Sequence, residues 1–454
     1  MPLTAVVLAA GQGTRMRSKT PKVLHDLCGW PLVRWPVEAS LGAGAGKVVV
    51  VGGPDRAVEG HLPDGVVLAV QPEAKGTGHA VQCAAEHIGA EDTVVVLYGD
   101  VPLITADTIA TLAAAHERGR AAATIITMDL DDPSGYGRVV RDDKGEVLKV
   151  VETKDPRDAT PDELEIREVN TGIYAFAGGP LLEALDQITP DNAQGEYYLP
   201  GVLEVLREHG RKIVTHAITD PWLAAGINDR AQLAQVREVA QRRIVDEHQR
   251  AGVTVVNPQA TTIDRDVTIG ADTTIEPGCV IRGATTIGAE SRIGPNTTID
   301  DARIGDRVKA LHAYVTDADV EDDVSIGPFA YLRPKTRVRK GAKIGTYVEL
   351  KNSDIGEGTK VPHLSYLGDA DVGPNTNIGA SNVTANYDGR TKHRTTIGAN
   401  VKTSVDTTFV APVTIGDGAY TAAGSVITED VPAEALGVAR ARQTNVEGYA
   451  RRKG

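Results

Sequence analysis

Residues 263–299 read IDRDVTIGADTTIEPGCVIRGATTIGAESRIGPNTTI, with an isoleucine at every sixth position. An α-helix cannot keep every sixth residue on one face, because six residues is not a whole number of turns. An extended chain can, since its side chains alternate between two faces and six is an even number. The pattern predicts a parallel β-helix of hexapeptide repeats. The residues four places after the first six isoleucines should also point inward: Val267, Thr273, Cys279, Thr285, Ser291 and Thr297.

The six-residue period continues to about residue 427 but slips at three places, roughly 305–325, 351–366 and 382–396. We expect the coil to bulge, or a loop to leave it, at each slip. Loops carried on a rigid scaffold are where binding groups tend to lie. The unbroken stretch 263–299 is therefore predicted to be structural, and functional groups are predicted at the slips.

Size, charge and cysteine content limit the classes of function. A chain of 454 residues is long enough for two or three domains. Its net charge of -13 and pI near 5.4 argue against nucleic-acid or acidic-membrane binding. The sequence has neither a long apolar run nor a signal-peptide pattern, so we expect no membrane span and no secretion. Cys28, Cys83 and Cys279 are widely separated, which fits a reducing cytoplasm.

Residues 1–230 have a different pattern, in which apolar runs at 5–10, 47–51, 66–70 and 93–98 alternate with helix-like stretches at 80–88 and 107–117. This alternation predicts an α/β domain with a mostly parallel, Rossmann-like sheet. Residues 231–251 have apolar side chains near helical spacing and are predicted to form an amphipathic linking helix. The β-helix and a polar tail would occupy 252–454.

A glycine-rich turn follows the first apolar run. Gly11 and Gly13 would let backbone N–H groups approach phosphate oxygens, and Arg15 and Lys22 would add positive charge. A dinucleotide-binding fold would need a third glycine where Met16 stands, and a P-loop motif is absent. Phosphate binding is the sharper hypothesis; an ordinary tight turn is the alternative.

Asp100 comes directly after the run 93–98. Ligands of open α/β sheets bind at the carboxyl ends of strands, so this carboxylate is a candidate metal ligand. Asn228 could supply a neutral oxygen beside it, and both suit a hard cation such as Mg²⁺. The alternative is an aspartate that only stabilises a turn.

The slips of the β-helix contain polar residues that a solenoid core does not need. Arginine, lysine and tyrosine donors near them suit a phosphate group. His363 suits a general base, because imidazole ordinarily titrates near neutral pH; a packed or surface histidine is the alternative. A zinc site would need about three such ligands, and His312, His363 and His393 lack a matching spacing.

Several motifs together resemble one known family. These are residues 8–16 with 21–25, 76–80, 97–103, 135–138, 170–172, 194–198 and 226–228, followed by the β-helix. Nearly the whole chain resembles the bifunctional N-acetylglucosamine-1-phosphate uridyltransferases/glucosamine-1-phosphate acetyltransferases. The resemblance implies a left-handed β-helix, a homotrimer with shared acetyltransferase sites, and a role in supplying peptidoglycan and cell-envelope polysaccharide synthesis.

For the uridyltransferase, the resemblance implies that Gly11, Arg15 and Lys22 hold the UTP phosphates. Asp100 and Asn228 would bind Mg²⁺. The uracil would be read by Gln71, Gly76 and Thr77, the N-acetylglucosamine would be held by Gly137, Glu152 and Asn170, and the remaining nucleotide or sugar contacts would be Leu8, Ala9, Ala10, Tyr98 and Gly99. Relatives often have lysine where this chain has Gln12, so that charge is missing here.

For the acetyltransferase, the resemblance implies that His363 takes a proton from the glucosamine-1-phosphate amine, with Glu349 as its orienting partner. The sugar phosphate would be held by Arg333, Lys351, Tyr366 and Lys392, the sugar by Asn377, and acetyl-CoA by Ala380, Asn386, Tyr387, Ala423 and Arg440. Relatives commonly have serine where this chain has Val405, so one hydroxyl contact to coenzyme A would be lost.

Two other functions remain open from the residues alone. The first is a nucleotidyltransferase whose β-helix only assembles or regulates. The second is a β-helix metalloenzyme or plain binding scaffold. Acetyl transfer from acetyl-CoA to glucosamine-1-phosphate would separate the first alternative from the bifunctional enzyme, and stoichiometric zinc in residues 252–454 would favour the second.

Overall fold

The computed structural model describes residues 1–11, 13–153, 159–192 and 194–453, so Gln12 lies outside the described residues. The chain forms two compact units, Met1–Ala240 and Gln241–Gly454. Each is described by itself. No helix in the described ranges is long and apolar enough to cross a membrane, and the three cysteines are free thiols.

The first unit alternates strands and helices. Its elements are β1 (Leu3–Leu8), β2 (Asp26–Leu27), β3 (Trp30–Pro31), α1 (Arg34–Gly42), β4 (Lys47–Gly52), β5 (Val67–Val70), α2 (Thr77–Gln82), β6 (Thr93–Tyr98), α3 (Ala106–Gly119), β7 (Ala123–Asp129), β8 (Gly137–Arg141), β9 (Val147–Val151), α4 (Pro161–Leu164), β10 (Glu168–Ala177), α5 (Gly178–Leu185), α6 (Gly201–Glu208), β11 (Ile213–Ala217) and α7 (Arg230–Arg250). The predicted alternation is therefore confirmed, and α7 contains the boundary between the two units.

The nine-stranded sheet of this unit has the central order β11-β7-β10-β6-β1-β4-β5, with β8 joined to β10 and β9 joined to β8. Strand β10 runs antiparallel to β6, β7 and β8, and β8 runs antiparallel to β9. The other pairings are parallel. The inner strands are buried on both faces, which is why they consist of continuous runs of valine, isoleucine and alanine. The carboxyl ends of β1 and β6, where the predicted phosphate loop and Asp100 begin, lie side by side.

The stretch 80–88, predicted as one helix, is divided in two. Helix α2 ends at Gln82, and a 3-10 turn follows at Ala85–His87. Ala80, Ala84 and Ile88 are nevertheless all buried. The helical prediction is therefore confirmed in type, but the stretch is not one continuous helix.

The second unit is a parallel β-helix with three sheets, which confirms the architecture predicted from the isoleucine period and is consistent with a left-handed coil. The first sheet contains Thr254–Val255, Thr274–Ile275, Arg292–Ile293, Lys309–Ala310, Ser325–Ile326, Lys343–Thr346 and Lys360–His363. The second contains Thr262–Ile263, Val280–Arg282, Thr298–Asp300, Tyr314–Thr316, Tyr331–Leu332, Glu349–Lys351, Tyr366–Gly368, Val383–Ala385, Thr408–Val410 and Val426–Ile427. The third contains Thr268–Ile269, Thr286–Ile287, Arg303–Ile304, Ala318–Val320, Thr336–Val338, Asp354–Ile355, Ala370–Val372, Thr395–Ile397 and Val413–Ile415. Tyr420–Thr421 and Leu436–Gly437 pair near the carboxyl end.

The inward positions are as the period predicts. Ile281 pairs with Ile299 in the next coil, and both are fully buried. Ile269 is the exception among the seven isoleucines, being half-buried. The positions four residues after the isoleucines, including Cys279, are also buried. Each coil therefore contributes two kinds of inward side chain to one narrow core.

The slips in the period have two different structural causes. At the first two slips the coil is one or two residues shorter, because Ile299 pairs with Val315 and Leu350 with Leu367, and no loop leaves it. At the third slip Thr384 pairs with Phe409, so a loop does leave the coil there. The expectation of a bulge or loop at every slip was therefore wrong for two of the three, since a shortened corner breaks the period equally well.

Candidate active sites

The glycine-rich turn of the first unit brings a lysine against its backbone. Gly13 has a φ of 61°, and a Cβ there would lie 2.3 Å from the Cβ of Lys22. Residues Thr14–Met16 then form a single 3-10 turn, in which the Met16 N–H donates to the Gly13 carbonyl. Glycine is required at this position because it tolerates the left-handed conformation and leaves room for the lysine.

Four predicted site residues form one hydrogen-bonded group. The Lys22 ammonium donates to Asp100 Oδ2 and lies 3.5 Å from Asn228 Oδ1. Arg15 donates to the same Asn228 oxygen at 2.8 Å. Two cations from the loop therefore meet a carboxylate and an amide oxygen from two other segments of the chain.

This group lines a cavity of about 360 Å³. Most of the residues predicted to contact the nucleotide line the same cavity: Leu8, Ala10, Gly11, Arg15, Lys22, Gln71, Gly76, Thr77, Tyr98, Asp100 and Asn228. Ala9 and Gly99 are buried behind it. Glu196 and Tyr198 also line the cavity; they stand in one of the motifs quoted above, but no role was predicted for them.

The segment predicted to read the uracil is held by internal hydrogen bonds. Gln71 donates to the Gly76 carbonyl at 3.0 Å, and the Thr77 hydroxyl accepts from the Leu199 N–H at 3.0 Å. Gly76 has a φ of 104°, and a Cβ there would lie 2.5 Å from the Tyr197 carbonyl oxygen. Only glycine fits so close to another backbone segment.

The residues predicted to hold the sugar do not line this cavity. Asn170 is buried, donates to the Tyr174 hydroxyl at 2.7 Å and accepts from the Gly172 N–H at 3.0 Å. A Cβ at Gly137 would lie 3.7 Å from the Asn170 Cβ, so these two residues are neighbours. Glu152 lines a different cavity of about 500 Å³. The structure therefore brings the nucleotide residues together in one cavity, and the predicted sugar residues are not part of its lining.

Tyr98 is kept neutral by its surroundings. Burial raises the pKa of its hydroxyl, and the Glu152 and Asp100 carboxylates raise the pKa further, against a smaller opposing effect of a hydrogen bond with Thr77. The phenol therefore stays protonated at physiological pH and remains able to donate a hydrogen bond.

The oxygens of Asp100 and Asn228 fit the Mg²⁺ that the family resemblance implies. Both lie against the single positive charge of Lys22, so they converge on one point. Mg²⁺ is commonly bound by one or two protein oxygens together with substrate phosphates and water. In the described ranges no cluster of three or more His, Cys, Asp or Glu could hold a metal. Phosphate and water oxygens would therefore have to complete the coordination.

In the second unit, the predicted phosphate-binding residues lie on neighbouring coils. Glu349 pairs with Tyr366 across the second sheet. The half-buried Arg333 donates to Glu349 at 2.8 Å. A hydrogen bond with Lys392 lowers the pKa of Lys351, with burial and the charges of Lys392 and Arg333 acting in the same direction. Cations are therefore concentrated here.

A buried carboxylate beneath these lysines was not predicted. Asp369 is 7% exposed, accepts from Asn352 at 2.6 Å and from Asn386, and lies 3.7 Å from the Lys351 ammonium. Burial raises the pKa of its carboxyl, but these hydrogen bonds and the two lysines more than offset that effect and lower the pKa overall. The sequence offers no signal for it, because the partners Asn352 and Asn386 lie 17 residues before and after it in the chain.

The predicted general base and its orienting partner are not joined. His363 is exposed, and the structure gives no hydrogen bond between it and Glu349 within the described residues; the Glu349 carboxylate accepts from Arg333 instead. Asn377 is exposed and bridges two coils by pairing with Lys360 and Lys402. The orienting role of Glu349 thus stays a prediction.

The loop at the third slip carries three predicted residues. Asn386 is buried at its base, while Tyr387 is exposed and pairs with Lys392 in an antiparallel bridge. The tip is closed by Asp388, which accepts from the Arg390 and Thr391 N–H groups at 2.8 Å. The loop is therefore held at its base and at its tip, and Tyr387 and Lys392 lie opposite each other across it.

His363 shares one corner of the β-helix with several residues predicted to bind acetyl-CoA. The residues that follow His363, Ala380, Val405 and Ala423 all have positive φ. The N–H groups of the following corners donate to the carbonyls of the preceding ones, in the pairs Ser381 to His363, Asp406 to Ala380 and Gly424 to Val405. We call His363, Ala380, Val405 and Ala423 the corner column. Arg440 is exposed in the tail and lies outside the column.

Comparison with known proteins agrees with this division of the chain. Residues 5–250 match the MobA-like NTP transferase domain, and residues 266–301 match the six-repeat bacterial transferase hexapeptide. The bifunctional protein GlmU of Mycolicibacterium vanbaalenii is 50% identical over 99% of this chain and 92% of its own length. Those of Streptomyces avermitilis and Brevibacillus brevis are 48% and 47% identical, covering 100% and 98% of this chain and 95% and 96% of their own lengths. The chain belongs to the GlmU family of bifunctional proteins, with an NTP transferase unit before a hexapeptide unit.

Proposed function

We propose that the cavity of the first unit carries out uridylyl transfer and that the corner column of the second unit carries out acetyl transfer. As a member of the GlmU family, the protein is a bifunctional transferase of UDP-N-acetylglucosamine synthesis. This product feeds peptidoglycan and cell-wall synthesis. We assign the uridyltransferase domain to residues 1–230, the linker to 231–251 and the acetyltransferase domain to 252–454.

In acetyl transfer, His363 takes a proton from the amine of glucosamine-1-phosphate. The amine nitrogen attacks the thioester carbonyl, the new C–N bond forms, and the C–S bond breaks to release coenzyme A, whose sulfur regains the proton. Arg333, Lys351 and Lys392 neutralise the sugar phosphate. Positioning of this kind accounts for much of the rate in transfer reactions.

In uridylyl transfer, a phosphate oxygen of N-acetylglucosamine-1-phosphate attacks the α-phosphorus of UTP. The bond to the β-phosphate breaks, and pyrophosphate leaves. Arg15 and Lys22 bind the phosphates, and the backbone beside Gly11 approaches them closely. Mg²⁺ held by Asp100 and Asn228 would neutralise charge on the phosphates as it develops.

The corner column is the observation that carries the acetyltransferase assignment. It brings the only histidine predicted to act as a base into one row with Ala380 and Ala423, although 60 residues separate His363 from Ala423 in the chain. Tyr387 and Lys392 lie on the loop that leaves the coil between the second and third members of the row. Stacked corners of this kind also occur in other coils, for example at His312 and Phe329. The side chains placed in this row, and not the row itself, therefore support the assignment.

A coupled assay tests both assignments. The chain is incubated with acetyl-CoA, glucosamine-1-phosphate, UTP and Mg²⁺, and free thiol and UDP-N-acetylglucosamine are measured. We expect His363→Ala to abolish thiol release and Asp100→Ala to abolish only the second step. His312→Ala is the matched control, because its ring lies tilted against Phe329 three coils earlier. Loss of both activities from either change would contradict two separate sites.

We also propose Mg²⁺ as the metal, a homotrimer and a cytoplasmic location. The converging oxygens of the first unit support the metal, and the hexapeptide repeat is consistent with oligomerisation. Three free thiols support a reducing compartment. Sedimentation at several concentrations would test the trimer, and a species of one chain mass throughout would contradict it.

A further inference from the structure

We propose that Arg230 and Gln232, in the first turn of α7, are positioning residues for the uridylyl-transfer site. They fix the phosphate loop and the backbone of the predicted metal ligand Asn228 to the start of one helix. The inference rests on the proposed function of that site. Neither residue was predicted to have a role.

Arg230 holds the phosphate loop through its backbone. Its Nε–H donates to the Met16 carbonyl at 3.2 Å. The preceding loop residue, Arg15, donates its side chain to Asn228 Oδ1. Two consecutive loop residues are thus hydrogen-bonded to residues 228 and 230. The first, Arg15, donates a hydrogen bond, and the second, Met16, accepts one. The loop cannot move away from Asn228 without breaking both hydrogen bonds.

Gln232 holds Asn228 from the other side. Its side-chain oxygen accepts from the Asn228 N–H at 2.7 Å. Gln232 is itself fixed, because its N–H donates to the Asp229 carboxylate at 2.9 Å and the Leu233 N–H donates to the Asp229 carbonyl. The helix cap thereby fixes the glutamine, and the glutamine fixes the backbone of the residue that offers an oxygen to the metal.

The bond from Gln232 does not serve the helix itself. Asp229 caps the first turn, as aspartate commonly does, and the glutamine side chain reaches beyond it to a residue outside the helix. Asn228 Oδ1 is the point on which Arg15 and Lys22 converge. Groups that orient metal ligands in this way typically change metal affinity or activity by about 10–100-fold when they are replaced.

The test measures binding of UTP in the presence of Mg²⁺ to the full chain by calorimetry, with no sugar phosphate. We expect Gln232→Met, which removes the acceptor, to weaken binding about 10-fold. Gln232→Glu keeps an acceptor oxygen and should restore most of the affinity. Gln235→Met is the matched control, being the same change at an exposed position of the same helix.

The arginine is tested in the same way. Arg230→Met should weaken UTP binding. Arg237→Met is its control, because it removes a guanidinium that donates to the Asp26 carbonyl about two helical turns further on. Because Arg230 and Gln232 act on one hydrogen-bonded group, the double variant should lose less than the sum of the two free-energy changes.

The outcomes separate this inference from the proposed function. If the unaltered chain does not bind UTP with Mg²⁺, the proposed function of the site is wrong. If it binds and Gln232→Met and Arg230→Met bind equally well, the positioning role is wrong. Loss of acetyl transfer together with UTP binding, or failure of Gln232→Glu to restore binding, would make these residues structural and would also overturn the inference.

Discussion

Replacing Asp369 with asparagine should slow acetyl transfer, although Asp369 is not predicted to contact either substrate. The carboxylate accepts hydrogen bonds from Asn352 and Asn386 and lies 3.7 Å from the Lys351 ammonium. An asparagine side chain has one acceptor oxygen and one NH₂ donor. One of the two neighbouring amides would therefore lose its acceptor and would lie against the new NH₂ group instead. A lost charge-assisted hydrogen bond costs about 1.5–3 kcal/mol, and removing one partner of a buried ion pair costs about 3–5 kcal/mol. We expect the free energy of unfolding to fall by about 2–4 kcal/mol, because the Lys351 side chain is not fully buried and water can solvate part of its charge.

The effect on activity follows from Lys351. Its pKa is already lowered by Lys392, and the charge of Asp369 opposes that effect. Without the carboxylate the pKa of Lys351 falls further, the ammonium loses the partner that holds it in place, and the sugar phosphate binds less well. A change of 1.4 kcal/mol is tenfold in an equilibrium constant. We therefore expect the KM for glucosamine-1-phosphate to rise about tenfold or more.

The assay compares three proteins by calorimetric unfolding and by both activities. Asp371→Asn is the matched control, since it makes the same change two residues away in an exposed pair with Arg394 that is worth at most about 1 kcal/mol. Uridylyl transfer should be unchanged in both variants. Equal stability and equal KM for Asp369→Asn and the control would refute the role assigned to the buried carboxylate.

Three further predictions concern other parts of the chain. Gly76→Ala would put a Cβ 2.5 Å from the Tyr197 carbonyl oxygen at a φ of 104°. We expect uridylyl transfer to fall at least about tenfold, while thiol release from acetyl-CoA is kept. Normal uridylyl transfer would contradict the close approach. Phe409 is fully buried in the β-helix, so Phe409→Ala should cost about 3–5 kcal/mol in denaturant unfolding of the second unit, and a cost below about 1 kcal/mol would mean that the coil can collapse around the gap. The folded-state pKa of Asp369 lies below its ordinary value, so its contribution to stability is present above the ordinary carboxyl pKa of about 3.9 and is lost as the pH falls through the lowered value; the stability difference between the unaltered chain and Asp369→Asn should therefore shrink below about pH 4, and a constant difference would contradict this sign.

The fold could be read from the sequence where local geometry leaves one solution. The isoleucine period fixes which side chains point inward, because an extended chain alternates its faces whatever its tertiary contacts. Ile281 and Cys279 are buried as this rule requires. The buried strands of the first unit were equally readable, since a strand covered on both faces must be apolar throughout.

The rest depends on contacts between distant residues. A shortened corner and an inserted loop interrupt the period alike, and only the pairing of Ile299 with Val315 and of Thr384 with Phe409 tells them apart. Asp369 could not be found because its importance comes from Asn352 and Asn386, which lie on other coils. Sequence spacing carries no signal for partners brought together by stacking.

The corner column has a consequence for how such an enzyme can change its donor. Backbone hydrogen bonds fix the distance between stacked strands at about 4.8 Å, so the spacing along His363, Ala380, Val405 and Ala423 is set by the main chain and not by the side chains. Each coil therefore presents one side chain of the column at a position that the backbone fixes. A substitution such as valine for serine at position 405 changes one side chain and leaves the positions of the others unchanged. The acetyl-CoA contacts proposed for this column could accordingly be changed one coil at a time.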